Sequence, residues 1–250
     1  MAAPYDFFDY QKYWEDRSFE NECEKICLTE FFKKIEKKDS LIDVGGGFGR
    51  LASLYSPLFK ECLIFDPSEK LLSLGKKNNH FSNIKFKKGS LPKIPFPKNS
   101  FDVALMVRVS HHLPNLLPSI KEISRILKPG GFFILEIANK IHFLARIKAL
   151  ISGKYSYLQT FEPLERRSTE NIKNGAIDFS NHHPLKVIED LKNSDFSVIA
   201  YRSVSNFRSP LIKKIIPQKF LLLIEKICQP LLSRFFFGPS IFILSQKNKA

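Results

Sequence analysis

The segment LIDVGGGFGRLA, residues 41–52, sets the carboxylate of Asp43 two residues ahead of Gly45, Gly46 and Gly47. Glycines in such a turn let a ligand come close to main-chain N–H groups, and a helix start just beyond favours negative charge on that ligand. The run from Gly47 through Phe48 to Ala52 also satisfies the relaxed glycine pattern of dinucleotide sites. A pyrophosphate on this turn would meet Asp43, and the two negative charges would repel. A cationic or zwitterionic ligand would be welcomed instead. S-adenosylmethionine is one: it carries an adenosine, a sulfonium, an ammonium and a carboxylate, and no phosphate. Its ammonium suits Asp43, and its carboxylate suits the N–H groups of the turn. Asp66 closes the next apolar run and is placed to accept both ribose hydroxyls, as acids do in dinucleotide folds.

Methyl transfer from a sulfonium is an in-line displacement that neutralises charge, so positioning and desolvation carry most of its catalysis. An oxygen or acidic-carbon acceptor must also lose a proton, a task for histidine near neutral pH. Two pairs qualify, His111–His112 and His182–His183, and His112 and His183 are the candidate proton acceptors. The alternative for each pair is a cap or packing contact on the helix that follows. No local ligand spacing makes a metal site of them, and no metal is expected. Arg108 ends an apolar run, where it either faces the acceptor or pairs with Glu136 or Asp102.

These residues need a scaffold that brings them to one edge. Apolar residues at helical spacing over 21–38 predict a first helix ending in lysines. SLIDV reads as a buried strand, and FGRLASLYSP as a helix stopped by Pro57. ECLIFD is a second strand and PSEKLLSLGKKN a second helix with a good start at Pro67 and Ser68. NIKFKKG, FDVALMVRV and FFILEI complete five strands, with an amphipathic helix from Leu116 to a Pro-Gly-Gly stop before the last. Strands this apolar, alternating with helices, predict a doubly wound α/β sheet with ligands beyond the carboxyl ends of its strands. PLKVIEDLKNS, FSVIAYRSV and SIFILSQK add a helix and two strands. Two long insertions, 139–183 and 205–239, break the rhythm.

With 250 residues, 44% of them hydrophobic, the chain can bury the core of one large domain. A net charge of +14 invites a polyanion, but the lysines are scattered and no nucleic-acid module is present, so nucleic acid is not the expected partner. Four cysteines without a CxxC pair, and an aromatic, acidic start unlike a signal or transit peptide, predict reduced thiols in a cytoplasmic protein. No run of 18 apolar residues spans a membrane.

Asp43 to Gly49 resembles the first motif of class I S-adenosylmethionine-dependent methyltransferases, and IFDPSEKLL resembles their second. KGSLPKIPFPKNSFDVALMVRVSHHLPN is similar to the adenine-side loop and fourth strand of the branch containing quinone-biosynthesis and small-molecule methyltransferases. EISRILKPGGFFILEI is similar to its fifth-strand motif. Four motifs in order, over residues 20 to 138, make the likeness specific. It implies a Rossmann-like seven-stranded sheet, mostly parallel with an antiparallel last strand, and S-adenosylmethionine as cofactor. It further implies a cofactor site of Asp43, Gly45, Gly46, Gly47, Phe48, Asp66, Pro67, Ser90, Leu91 and Val107. Ser90 stands where the branch usually has an acid; its hydroxyl can still bond the adenine amine, and the backbone of Leu91 can serve the ring. In similar enzymes an N-terminal segment closes over the cofactor, which gives Arg17 the methionine carboxylate and sets Tyr10, Tyr13 and Trp14 beside it. The Asn-Pro-Pro-aromatic and Pro-Cys signatures of nucleic-acid methylation are missing.

The whole chain, 1–250, then reads as one methyltransferase domain, with 1–38 as N-terminal arm and first helix and the two insertions as lids. The expected acceptor is a small or lipid-like molecule. LIKKIIPQKFLLLIEKICQPLLSRFFFG is apolar, basic and interrupted by two prolines. It either packs over the sheet or, across 211–237, forms an interfacial surface peripheral to a membrane. Two other functions stay open at this level: a nucleotide-binding oxidoreductase, against which Asp43 argues, and a non-catalytic module that binds nucleic acid or membrane.

Overall fold

The computed structural model describes residues 10–173 and 176–249, the side chains of 10 and 11 excepted; that of Tyr10 therefore lies outside the described residues. The chain starts with α1 (Tyr10–Glu15) and α2 (Ser18–Phe32), then β1 (Ser40–Val44), α3 (Ala52–Tyr55), β2 (Glu61–Asp66), α4 (Glu69–Asn78) and β3 (Ile84–Lys88). It continues with β4 (Phe101–Met106), α5 (Leu117–Ile126) and β5 (Leu127–Ala138). The first insertion holds α6 (Phe143–Ser152), α7 (Ser156–Gln159), β6 (Leu164–Glu165), α8 (Thr169–Lys173) and β7 (Ser180–Asn181). Then come α9 (Pro184–Lys192), β8 (Phe196–Val204), the second insertion with α10 (Pro210–Ile215) and α11 (Gln218–Ser233), and β9 (Ser240–Lys247).

Seven strands form one sheet in the order β3-β2-β1-β4-β5-β9-β8. The first five pair in parallel, and β9 runs antiparallel between β5 and β8, as expected. Strand alternation divides the core into two layers. Leu41, Ile64 and Leu105 pack with Phe31, Tyr55 and Leu221 on one face. Ile42, Phe65 and Met106 pack with Ile120, Val187 and Leu191 on the other. Asp43 shares the parity of Leu41, so it points toward the face that holds Tyr55.

Several boundaries differ from the sequence reading. The helix expected over 48–57 is a single turn, α3, because the glycine turn uses the residues before it and Pro57 ends it in a 3₁₀ turn. The first helix stops at Phe32, short of its lysine tail. Strand β4 ends at Met106, and Val107 to Val109 leave the sheet to form the rim of the site. Among the described residues, no helix is long and apolar enough to cross a membrane.

The first insertion is pinned at the carboxyl end of β5. Asn139 bridges His182, and the His182 N–H donates to the carbonyl of Ala138 at 2.8 Å. Lys140, buried behind it, donates to two carbonyls of the 160–162 loop, those of Thr160 and Glu162, at 2.8 and 2.6 Å. In the second insertion, α11 lies against α2 and β8: Leu221 enters the core and Gln229 Nε2 donates to the carbonyl of Cys23 at 2.9 Å. Most of that insertion thus covers a face of the sheet, and the stretch ahead of α10 reaches the ligand edge.

Candidate active site

Strands β1 and β2 run in register, Asp43 beside Ile64 and Val44 beside Phe65, so their acids arrive at one edge. There they line a cleft of about 970 Å³ that opens to solvent. Asp43, Gly45, Gly46, Gly47, Phe48, Asp66, Pro67, Ser90, Leu91 and Val107, the residues the resemblance implies for the cofactor, all line it. Arg17 does not. Its guanidinium stacks over the ring of Tyr13, 4.2 Å from the centroid, and the arginine on the cleft wall at the glycine turn is Arg50. Arg50 sits inside the glycine motif, yet sequence reasoning gave it no role.

The turn is tied to both acids. Asp66 accepts from the N–H of Gly47 at 2.9 Å through one oxygen and from the N–H of Ser68 at 2.8 Å through the other. Ser68 in turn caps α4 by accepting from the N–H of Leu71. Gly45 has φ +74°, and a Cβ there would lie 2.2 Å from the Val109 side chain. A Cβ on Gly46 would lie 2.7 Å from the Asp43 carboxylate. That carboxylate is buried and accepts from the Tyr55 hydroxyl at 3.1 Å. Burial pushes its pKa up to about 7 and the charge of Asp66 adds to the rise, against the pull of Tyr55 and Arg50.

Beyond the turn, Arg108 adopts φ +63°, a conformation that non-glycine residues take only at a cost. Its surroundings hold it there. Its N–H donates to Glu136 at 3.0 Å and its Nε to Glu24 at 2.6 Å. Glu24 is fully buried and also accepts from Arg50 at 2.6 Å. Burial opposes ionisation of Glu24, but Arg108 and Arg50 together hold its pKa below the usual range. Trp14 covers this cluster, with Arg50 3.7 Å and Arg108 5.6 Å from its ring centroid. Of the alternatives for Arg108, the ion pair is with Glu24, a residue the sequence did not suggest.

A second cavity, of about 1150 Å³, adjoins the first. Arg108 and His112 line both. Tyr13, His111, His142, Arg166, Phe179 and Arg208 complete much of its wall. The two histidine pairs separate here. His112 Nδ1 lies 2.6 Å from the carbonyl of Asp178; a carbonyl only accepts, so Nδ1 carries the hydrogen and Nε2 the lone pair. Burial holds its pKa below the usual value, so the ring is neutral at pH 7. His183 lines neither cavity. It is buried at the start of α9 with its ring edge-on to Phe161, 5.0 Å between centroids. His182 donates through Nε2 to the carbonyl of Ser110 at 2.9 Å and joins the insertion to the sheet edge. His142, Arg166 and Arg208 were missed in sequence, since lone residues in insertions have no spacing to betray them.

Residues 42–135 match the family model of the methyltransferase domain. The chain is 29% identical over 98 residues to the uncharacterized methyltransferase YcgJ of Bacillus subtilis, covering 38% of this chain and 39% of that protein. It is 29% identical over 171 residues to the ubiquinone/menaquinone biosynthesis C-methyltransferase UbiE of Coxiella burnetii, covering 63% of each. The chain thus spans less than two thirds of the length of these curated relatives. Its fold matches a SAM-dependent methyltransferase from Thermotoga maritima with a TM-score of 0.60 at 18% identity, over 98% of this chain and 99% of that one. The match begins in β1, ends in β5 and so takes in both acids and the glycine turn; over these residues the chain is similar to a methyltransferase domain, and its fold is that of the SAM-dependent methyltransferase it resembles.

Proposed function

We propose that the chain binds S-adenosylmethionine in the first cleft and methylates a small or lipid-like acceptor held in the second cavity. One observation carries the reading: Arg108 and His112 stand in the wall of both spaces, so the two abut where a methyl group would cross. When bound, the cofactor supplies an electrophilic methyl on a sulfonium.

The donor set of the cleft fits that cofactor. Asp66 offers carboxylate oxygens for ribose hydroxyls at the end of β2, and Asp43 offers negative charge for an ammonium. The N–H groups of the turn and the Arg50 guanidinium suit a carboxylate. Ser90 and Leu91 line the far side, where an adenine would rest, and Phe48, Pro67 and Val107 exclude water from its faces. A dinucleotide would set its pyrophosphate against Asp43, which the oxidoreductase reading cannot relieve. Removal of a proton from an oxygen or acidic-carbon acceptor falls to His112 Nε2, whose partner Nδ1–H is already fixed by Asp178. The first insertion, with Arg166 and Phe179 on the cavity wall, acts as the lid.

A lipid-like acceptor has support on the outer surface. Leu211, Ile215, Phe220, Leu223, Ile227 and Phe235 are exposed on the second insertion beside Lys214, Lys219 and Lys226. Phe143 of α6 stacks on Phe237, 4.6 Å between centroids, which sets α6, with its exposed Leu144 and Ile151, against the end of the second insertion. Such a face suits peripheral contact with an anionic membrane through 211–237.

Calorimetry with S-adenosylhomocysteine and with NAD tests the reading. Homocysteine-nucleoside binding, weakened in Asp66→Ala by the loss of charge-assisted bonds worth about 1.5–3 kcal/mol each, is the expected result. NAD binding in its place would overturn it.

A further inference from the structure

The charges on the wall of the second cavity do not balance. Arg108, Arg166 and Arg208 line it together with His111, His112 and His142, and no carboxylate stands among the described residues that line it. Arg108 is answered by Glu24, which it shares with Arg50. Glu136 behind it is spent on the Arg108 N–H and the Ser240 hydroxyl. Arg166 donates its backbone N–H to Phe179 and Glu165, while Glu165 and Asp178 give their carboxylates to Arg167. The guanidinium of Arg166 makes no ion pair among the described residues, and neither does that of Arg208. Glu20, the carboxylate that acts on Arg208, is engaged by Lys213 at 3.0 Å.

The histidines do not supply the charge. Burial holds His111 and His112 neutral. His142 accepts from the N–H of Ala145 as the cap of α6, and burial followed by the charges of Arg208, Arg166 and Arg146 pushes its pKa down to about 4. Burial and the charge of Arg108 likewise lower the pKa of Arg208, although the residue as a whole is exposed. Two guanidinium groups from different insertions therefore raise the potential of one cavity, with no ion-pair partner for either among the described residues.

We infer that the acceptor carries an anionic group, a carboxylate or a phosphate, held by Arg166 and Arg208 in the second cavity. The inference rests on the reading of that cavity as the acceptor site. Arg fits such a partner better than Lys would, because its planar fork can bond two oxygens at once. The acceptor's reacting atom would then face the wall made by Arg108 and His112.

The test is calorimetric titration of the full chain with matched probes: 2-naphthoate, 2-naphthyl phosphate and neutral 2-naphthamide, each with S-adenosylhomocysteine already bound. Binding of S-adenosylhomocysteine alone is measured first, so a failure of the cofactor reading shows before any probe is added and removes the inference with it. The expected result is that at least one anion binds about tenfold or more tightly than the amide, a difference of about 1.4 kcal/mol. Which anion does so separates carboxylate from phosphate. In Arg166→Gln/Arg208→Gln that preference disappears while S-adenosylhomocysteine affinity stays within about twofold. The inference is overturned if the amide binds as tightly as both anions, if neither anion binds, if the anion displaces S-adenosylhomocysteine, or if the double variant keeps the preference.

Discussion

The hydroxyl of Tyr55 donates to Oδ2 of Asp43 at 3.1 Å, under the glycine turn and out of contact with bulk water. Burial keeps that carboxyl half-protonated near pH 7, whereas an ammonium partner needs it ionised. Affinity for S-adenosylmethionine is therefore expected to rise by about tenfold from pH 6 to pH 8, with proton release on binding. Asp43→Asn flattens the profile. The same carboxyl has a folded pKa above its unfolded one, so its contribution to stability is full below about pH 4 and lost as pH rises through 7. Asp43→Asn should then raise the melting temperature of the ligand-free chain at pH 8, measured by calorimetry, while weakening cofactor binding.

Gly46 tests the closeness of turn and strand. A methyl group there would meet the Asp43 carboxylate at 2.7 Å and Ile64 at 3.1 Å. Both neighbours are buried and cannot withdraw. Gly46→Ala is expected to cost about 1–3 kcal/mol in stability and to displace Asp43 from its ligand. Denaturant melts and S-adenosylhomocysteine titration together check this; wild-type values in both would contradict the geometry.

The histidines offer a paired comparison. His112→Ala should lower single-turnover methyl transfer by about 10²–10⁴-fold on an oxygen or acidic-carbon acceptor, with S-adenosylhomocysteine affinity nearly intact. His183→Ala removes a buried ring packed on Phe161 and should lower the melting temperature without changing that rate. Equal rates for His112→Ala and wild type across pH 6–9 would show that proximity alone suffices.

The outer face of α11 is open to a surface experiment. Leu223 and Ile227 are exposed, so Leu223→Glu/Ile227→Glu should fold normally. Vesicles containing anionic phospholipid are expected to carry the wild-type chain upward in flotation and to leave this variant in the lower fraction. Flotation of both, or of neither, would argue against membrane contact through this helix.

Much of the cofactor side was legible because chemistry and periodicity coincide there. Asp43 and Asp66 sit at the carboxyl ends of apolar strands, and the glycines follow the first strand at once, so residue type and position point the same way. The acceptor side had no such agreement. Val107 to Val109 continue an apolar run, yet the chain leaves the sheet after Met106 because Arg108 turns to φ +63° under the grip of Glu136 and Glu24. Partners 84 residues apart leave no local pattern. Two identical His-His pairs looked equivalent in sequence, but of the two only the first lines the two cavities described. The separation follows from Asn139 and His182, whose pairing draws the second pair into the sheet edge. Arg166 and Arg208 come from segments whose course the strand rhythm does not constrain.

Trp14 is the chain's one tryptophan, and its ring lies against the guanidinium groups of Arg50 and Arg108. Arg50 belongs to the wall of the first cleft alone, and Arg108 to the walls of both cavities. The consequence is optical. Indole emission shifts with the electric field across the ring; a ligand in the first cleft would disturb that field through Arg50 and Arg108, one in the second cavity through Arg108 alone. The molecule thus carries a single built-in fluorophore whose spectrum separates two occupancies, so the order in which donor and acceptor arrive can be followed in a stopped-flow trace without a label.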